Sequence, residues 1–186
     1  MTTRHIILLL GIAFLASLGG ALAYRWMLED HTTASASVSP GTLVAPDLVG
    51  ARRPDYTLGS SGGERVSAAD FDGKVVLANF WATWCAPCLQ EMPSMERLHQ
   101  TFKQTAFVLL GVSMDRQGAE VAQPFVENLK LTFPVLLDPV SEVARQYGVR
   151  GLPTTYLIDR QGRIRQKIIG ARDKAGWEAA VNRMLV

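Results

Sequence analysis

Two cysteines, Cys85 and Cys88, are the residues of this chain whose type and spacing best suit covalent chemistry. They follow an apolar run at residues 75–80, which is typical of a buried strand, and they open a segment with helical periodicity. At a helix N-terminus, unpaired backbone N–H groups and the helix dipole favour a thiolate. Cys85 is therefore the candidate nucleophile, and Cys88, one turn later, can close a disulfide with it.

Two other roles for the cysteine pair fit the sequence less well. A structural disulfide here would close a loop of only four residues and contribute about 2 kcal/mol on the chain-entropy model. A zinc site needs about four ligands, and neither another cysteine nor a neighbouring histidine is present to supply them. The Cys-x-x-Cys pattern between a strand and a helix therefore indicates redox chemistry without a metal or another cofactor.

The composition excludes several other classes of protein. The chain has 186 residues, of which 48% are hydrophobic and 19% charged, so it fits a packed domain and not a disordered chain. Its net charge of +2 is too small for the dense cluster of Lys and Arg that nucleic-acid binding usually needs. Two cysteines are too few for a small fold stabilised by several disulfides.

Residues 1–28 are predicted to target or anchor the protein. Residues 6–24 carry no charged side chain, and a helix over them would be about 29 Å long, close to the roughly 30 Å hydrocarbon core of a bilayer. Arg4 favours a cytoplasmic start, which predicts a single-pass protein of the inner (cytoplasmic) membrane with its domain in the periplasm. The alternative is a signal peptide cleaved after Ala23, which would release a soluble periplasmic protein.

Residues 29–46 are rich in Ser, Thr, Ala and Pro and are predicted to form a flexible linker. Such a linker has a root-mean-square span of about 24 Å. Residues 47–186 remain for a single domain.

The order of elements in this domain predicts an α/β fold, with a central mixed sheet flanked by helices on both faces. An N-terminal hairpin is predicted with arms at 56–58 and 64–67. The remaining strands are predicted at 75–80, 107–113, 135–137, 155–158 and 164–169, and the helices at 86–102, 120–128, 141–147 and 174–185.

Two segments of the sequence resemble the thioredoxin superfamily. Residues 80–88 (Phe-Trp-Ala-Thr-Trp-Cys-Ala-Pro-Cys) resemble its active site, and residues 151–155 (Gly-Leu-Pro-Thr-Thr) resemble its cis-proline loop. With the N-terminal anchor and the hairpin, the closest match is the membrane-tethered, extracytoplasmic TlpA/ResA-like branch, over about residues 47–186.

The resemblance implies a thioredoxin-like fold in which Cys85 attacks and Cys88 resolves the mixed disulfide. It also implies that Pro153 follows a cis peptide bond, lies against the disulfide and, with Leu152, helps to hold the substrate. Trp84 is expected to cover the dithiol and contact substrate, although an exposed tryptophan is also compatible with ordinary interface surface.

One position departs from the thioredoxin pattern. Thioredoxins have a buried aspartate on the strand before the motif, where this chain has Asn79, which cannot act as a general base. Glu91 stands three residues after Cys88 and so lies beside it on one helix face. In TlpA/ResA-like proteins an acid at this spacing helps to manage the thiol protons, which makes Glu91 the candidate here. A solvated helix carboxylate is the alternative.

The resemblance implies a thiol-disulfide oxidoreductase that reduces disulfides in client proteins, with cytochrome c maturation and its apocytochrome as the suggested pathway and client. It also implies a membrane thiol-electron transporter of the CcdA/DsbD kind as electron donor.

Two other functions on the same fold are weighed against this one. A peroxiredoxin-like peroxidase would need a Thr-x-x-Cys pair, whereas a single residue separates Thr83 from Cys85. The other function is that of a copper chaperone or a non-catalytic binding module. Copper-delivering relatives typically carry Cys-x-x-x-Cys and a histidine, a combination that this sequence lacks.

Overall fold

The computed structural model of the protein describes residues 48–185. The predicted anchor or signal segment (1–28) and the predicted linker (29–46) lie outside the described residues. Between residues 48 and 185, no helix is long and apolar enough to span a membrane.

The described part contains seven strands and four α-helices. The strands are β1 (Thr57–Ser60), β2 (Arg65–Ser67), β3 (Val75–Trp81), β4 (Phe107–Ser113), β5 (Val135–Leu137), β6 (Thr154–Ile158) and β7 (Ile164–Ile169). The helices are α1 (Ala86–Phe102), α2 (Ala119–Asn128), α3 (Glu142–Gln146) and α4 (Lys174–Leu185), and a 3-10 helix (Ala68–Phe71) precedes β3. From β3 onward the predicted elements are confirmed, with bounds shifted by at most one residue.

The strands form one sheet in the order β2-β1-β5-β4-β3-β6-β7. β3, β4 and β5 run parallel to one another, whereas β1, β2, β6 and β7 pair antiparallel with their neighbours. The sheet is therefore mixed, as predicted. β3 lies between β4 and β6, so the motif that follows it starts from the interior of the sheet.

Alternating residues of β3 point to opposite faces of the sheet, and both faces are buried. On one face, Leu77 and Trp81 belong to a core cluster with Met92 and Met95 of α1 and Trp177 of α4. Each of these side chains is fully buried, and burying one large apolar side chain stabilises a fold by about 1.5–3 kcal/mol. This face packs α1 firmly against the strand that leads into the cysteine motif.

The other face of β3 carries a second, more aromatic cluster. The ring of Phe80 lies 5.2 Å from that of Tyr147 and 6.0 Å from that of Tyr156. Val143 and Ala144 of α3 belong to the same cluster. Helices therefore cover both faces of the sheet, which explains why the sequence of β3 is apolar and not alternating.

The 3-10 helix before β3 is an element that the sequence pattern does not predict. The Ser67 hydroxyl accepts a hydrogen bond from the backbone N–H of Ala69 at 3.3 Å, and the Asp70 carboxylate accepts one from the backbone N–H of Ser67 at 2.8 Å. These bonds form a capping box around a single turn. One turn is too short to show helical periodicity.

Candidate active site

The loop between β3 and α1, which carries the cysteine motif, is held in place by Asp115. The Asp115 carboxylate accepts hydrogen bonds from the backbone N–H of Thr83 at 3.0 and 3.1 Å and from the Thr83 hydroxyl at 2.7 Å. It also accepts one from the Ser113 hydroxyl at 2.9 Å. Because β3 and β4 are parallel, their carboxyl ends meet at one edge of the sheet. Asp115 thus fixes the loop to the end of the neighbouring strand.

Cys85 and Cys88 form a disulfide, and their Cα atoms lie 5.3 Å apart. Cys85 is the N-cap of α1, and its Sγ accepts a hydrogen bond from the backbone N–H of Cys88 at 3.3 Å. Cys85 exposes 5% of its surface and Cys88 none. The helix N-terminus therefore acts on the more accessible of the two sulfur atoms, where it favours a thiolate after reduction.

The loop before β6 lies at the same edge of the sheet as the cysteine motif. Thr154, the first residue of β6, pairs with Phe80 near the end of β3. The peptide bond between Leu152 and Pro153 is cis, as the resemblance implies. Pro153 is buried, and Leu152 packs against the core cluster that contains both cysteines.

Glu91 lies one turn after Cys88 in α1 and exposes only 2% of its surface. Its Oε1 accepts a hydrogen bond from Asn79 Nδ2 at 2.8 Å, and its Oε2 accepts one from the backbone N–H of Arg172 at 3.3 Å. Burial raises the pKa of Glu91 from 4.5 to about 7, and the two hydrogen bonds oppose that rise. The alternative prediction of a solvated carboxylate is wrong, because β3 and the segment after β7 cover this face of α1.

Asn79 connects Glu91 to β6. It is buried in β3 and stands directly opposite Thr155 across the β3–β6 pair. Its Nδ2 donates one hydrogen bond to Glu91 Oε1 at 2.8 Å and another to Thr155 Oγ1 at 2.9 Å. The Asn79 amide does not titrate in this pH range, so Glu91 is the titratable group of this cluster.

Two large apolar side chains are exposed at the same edge. Trp84 exposes 71% of its surface and Ile169, the last residue of β7, exposes 73%. Ile169 pairs with Thr154, and the next residue, Gly170, donates its backbone N–H to the carbonyl of Pro153 at 2.9 Å. The exposed pair therefore borders both the cysteine motif and the cis peptide bond, which suits contact with another protein.

Asp115 and Ile169 are missing from the sequence-based prediction, and Thr155 enters it only as the last residue of the segment that resembles the cis-proline loop, with no role assigned to it. Asp115 lies two residues after one predicted strand, and Ile169 is the last residue of another. The partners of these side chains depend on strand order and register, which the sequence alone does not reveal.

Two features of the structure concern the metal-binding and peroxidase alternatives: the arrangement of metal-ligating side chains and the partner of the Thr83 hydroxyl. Within the described residues, no group of three or more His, Cys, Asp or Glu side chains is placed to hold a metal ion. The Thr83 hydroxyl, the one nearest in sequence to Cys85, donates to Asp115 at 2.7 Å. The Thr83 hydroxyl is therefore bonded to the carboxylate that fixes the motif loop to the end of β4.

Comparison with known proteins agrees with this geometry. A model of the AhpC/TSA family matches residues 49–167. The chain is 35% identical over 174 residues to the thiol-disulfide oxidoreductase ResA of Geobacillus thermodenitrificans. The aligned region covers 94% of this chain and 90% of that relative. It is 39% identical over 130 residues to ResA of Geobacillus kaustophilus, covering 70% and 74% of the two chains.

A solved structure resembles the described domain closely. The crystal structure from Chlorobium tepidum assigned as the thiol:disulfide interchange protein DsbE matches with a TM-score of 0.70 and 34% identity, over 74% of this chain and 98% of that one. This match confirms the predicted thioredoxin-like fold. Since sequence and fold agree with proteins of this kind over most of their length, the chain belongs to the AhpC/TSA family and is a thioredoxin-like thiol-disulfide oxidoreductase related to ResA.

Proposed function

We propose that the protein donates electrons to disulfides of client proteins outside the cytoplasm, with Cys85 as nucleophile, Cys88 as resolving thiol and Glu91 as proton acceptor. The observation that carries the proposal is the buried Glu91 carboxyl one turn from the fully buried Cys88. A buried thiol needs a nearby base to become a nucleophile, and the pKa of about 7 lets Glu91 accept and release a proton near neutral pH.

The reaction starts from the reduced protein and transfers two electrons. The Cys85 thiolate attacks one sulfur of the client disulfide, a mixed disulfide forms, and the second client sulfur leaves as a thiolate that takes a proton from water. Glu91 then removes the proton of the Cys88 thiol, and the Cys88 thiolate attacks Cys85 Sγ. The first client sulfur leaves and is protonated, so the client gains two thiols and the protein gains its Cys85–Cys88 disulfide.

The direction of electron transfer follows from the charges around the dithiol. A strong oxidant stabilises its reduced form, commonly with a positive group between the two cysteines, and here Ala86 and Pro87 supply none. An ionised Glu91 disfavours a second negative charge on the nearby thiolate. Both features favour the disulfide form of this protein, which makes its dithiol a reductant.

The client is proposed to bind at the apolar edge around the disulfide. The exposed Trp84 and Ile169 border this edge, and Leu152 and Pro153 lie in the cis-proline loop beside it. The cysteine sulfur itself is recessed, since Cys85 exposes only 5% of its surface. A client must therefore present its disulfide on a segment that reaches the sulfur while its apolar side chains contact the rim.

The proposed location is the periplasmic side of the inner membrane. Residues 1–28 would anchor or export the chain, residues 29–46 would act as a linker, and residues 47–186 would form the catalytic domain. A reductant in an oxidising compartment needs a continual supply of electrons, and a membrane thiol-electron transporter of the CcdA/DsbD kind would provide them. Maturation of cytochrome c, with its apocytochrome as client, is the process that the resemblance to the TlpA/ResA-like branch suggests.

Trapping of clients tests the proposal. In Cys88→Ser the mixed disulfide on Cys85 cannot be resolved, so clients should accumulate covalently bound to the protein and be released by dithiothreitol. The matched control, Cys85→Ser, keeps one cysteine but should trap none. Equal trapping by both variants, or turnover of hydrogen peroxide at rates typical of peroxidases, would contradict the proposal.

A further inference from the structure

Thr155 links the cis-proline loop to the buried Glu91 carboxyl through Asn79. It follows Pro153 by two residues, is 1% exposed and stands opposite Asn79 in the β3–β6 pair. Its Oγ1 accepts a hydrogen bond from Asn79 Nδ2 at 2.9 Å. We propose that Thr155 is a positioning residue whose hydroxyl orients the Asn79 amide, so that an N–H and not the carbonyl oxygen faces Glu91.

The geometry of a carboxamide gives this contact its importance. The amide is planar, and its two N–H bonds leave the same nitrogen in fixed directions, so fixing one fixes the other. With the first N–H directed at Thr155 Oγ1, the second meets Glu91 Oε1 at 2.8 Å. Without the hydroxyl, the last torsion of Asn79 regains the broad, roughly two-fold distribution of an asparagine side chain.

The unused carbonyl oxygen supports the same conclusion. Asn79 Oδ1 is buried and has no hydrogen-bond partner in the part of the chain that the structure describes. A reversed amide would place this oxygen against Glu91, and two acceptors would then face each other whenever Glu91 is ionised. The observed orientation leaves a buried acceptor unpaired, so the two bonds made by Nδ2 must outweigh that loss.

The other groups around Glu91 leave the Asn79 amide as its side-chain donor. Burial raises the pKa of Glu91. The hydrogen bonds from the Asn79 side chain of β3 and from the backbone N–H of Arg172 after β7 lower it. On its own helix, Cys88 is held in the disulfide. On α4, which packs against α1, Lys174 pairs with Glu178 at 3.2 Å. A change at Thr155 should therefore reach Glu91 through Asn79.

This inference rests on the proposed proton-transfer role of Glu91, but the pKa of Glu91 can be measured separately from that role. We would titrate its side-chain carboxyl by carbon-13 NMR in the oxidised protein. Thr155→Val keeps the shape and removes the hydroxyl, Thr155→Ala removes it without a β-branch if the valine variant does not fold, and Thr155→Ser keeps it. Thr154→Val is the matched control, because the buried Thr154 hydroxyl donates to the Gly151 carbonyl at 2.7 Å instead.

Loss of the Thr155 hydroxyl should weaken the hydrogen bond to ionised Glu91 and raise its pKa by about half a unit to one unit, a three- to tenfold change in proton affinity. Thr155→Ser and Thr154→Val should titrate like the wild type. An unchanged pKa in the folded Val and Ala variants would overturn the inference, as would a serine variant that behaves like valine. Unchanged client reduction by Glu91→Gln would instead contradict the proposed function and leave the titration result valid.

Discussion

Helix α1 carries two glutamates in contrasting regions. Glu91, in the half that carries the cysteines, is buried against the sheet, and burial raises its pKa to about 7. Glu96 is half-buried and accepts hydrogen bonds from Gln100 Nε2 at 2.7 Å and from the Thr132 N–H and hydroxyl at 2.8 and 2.7 Å. Burial also acts to raise the pKa of Glu96, but these bonds hold it below its ordinary value.

The contrast shows that environment, and not residue type, decides which carboxyl can take part in proton transfer. Glu96 has enough donors to stay ionised, so it serves to attach α1 to the segment before β5. Glu91 has two donors and almost no contact with water, so its charged and neutral forms are close in free energy near neutral pH. A carboxyl of the second kind, beside a buried thiol, is suited to exchange protons.

The largest expected effect concerns how stability depends on pH. Because the pKa of Glu91 is raised by folding, the stability it contributes is present below about pH 4.5 and is lost as the pH rises to about 7. A shift of this size corresponds to about 3 kcal/mol. Urea unfolding of the oxidised wild type between pH 4.5 and 8 should show this decline, and Glu91→Gln should not. Parallel curves for the two proteins would show that Glu91 titrates normally.

The second prediction separates the two glutamates by activity. Glu91→Gln removes the proposed proton acceptor, and client-disulfide reduction should slow about a hundredfold, the lower range for loss of a general base. Glu96→Gln removes a carboxylate from the same helix and should leave the rate unchanged. Stopped-flow reduction of a model disulfide from pH 5 to 9 provides the comparison. Equal rates for both variants would remove the functional difference between the two regions.

The smallest expected effect is the loss of fold stability when the hydrogen bonds to Glu96 are weakened. Glu96→Gln loses hydrogen bonds to a charged acceptor near the surface, which should destabilise the fold by about 1 kcal/mol at pH 7. Because folding lowers the pKa of Glu96, this contribution should disappear as the pH falls well below 4.5, the opposite sign to Glu91. Chemical denaturation at pH 7 and pH 3 measures it. A difference that persists at pH 3 would indicate that packing, and not charge, is lost.

Much of the fold could be predicted because its signals are local. The apolar run of β3, the spacing of Met92 and Met95 in α1, and the glycine at position 162 (φ 74°) in the β6–β7 turn all reflect neighbours in sequence. The two cysteines and the Leu152-Pro153 segment could be identified for the same reason, since each motif is contiguous. The expected roles of the cysteines and of the Leu152-Pro153 segment come from the resemblance of these motifs to those of the thioredoxin superfamily.

The rest of the site depends on contacts between distant segments. The spacing of three residues places Glu91 beside Cys88, but its burial depends on β3 and on the segment of Arg172, 81 residues away. The Asn79–Thr155 bond joins residues 76 positions apart. Asp115 anchors the motif loop because β4 lies next to β3. A single sequence does not specify these registers, so it leaves both alternatives for Glu91 open.

The Cys85–Cys88 disulfide is proposed to belong to an electron donor. The uncharged Ala86-Pro87 pair and the buried acid behind Cys88 should place its reduction potential near the thioredoxin value of about −270 mV and well below the DsbA value of about −120 mV. Equilibration of the purified protein with glutathione buffers of known ratio, followed by acid quenching and thiol alkylation, measures the potential directly. A value near −270 mV is the result predicted here, and a value above about −150 mV would contradict the account and indicate an oxidant.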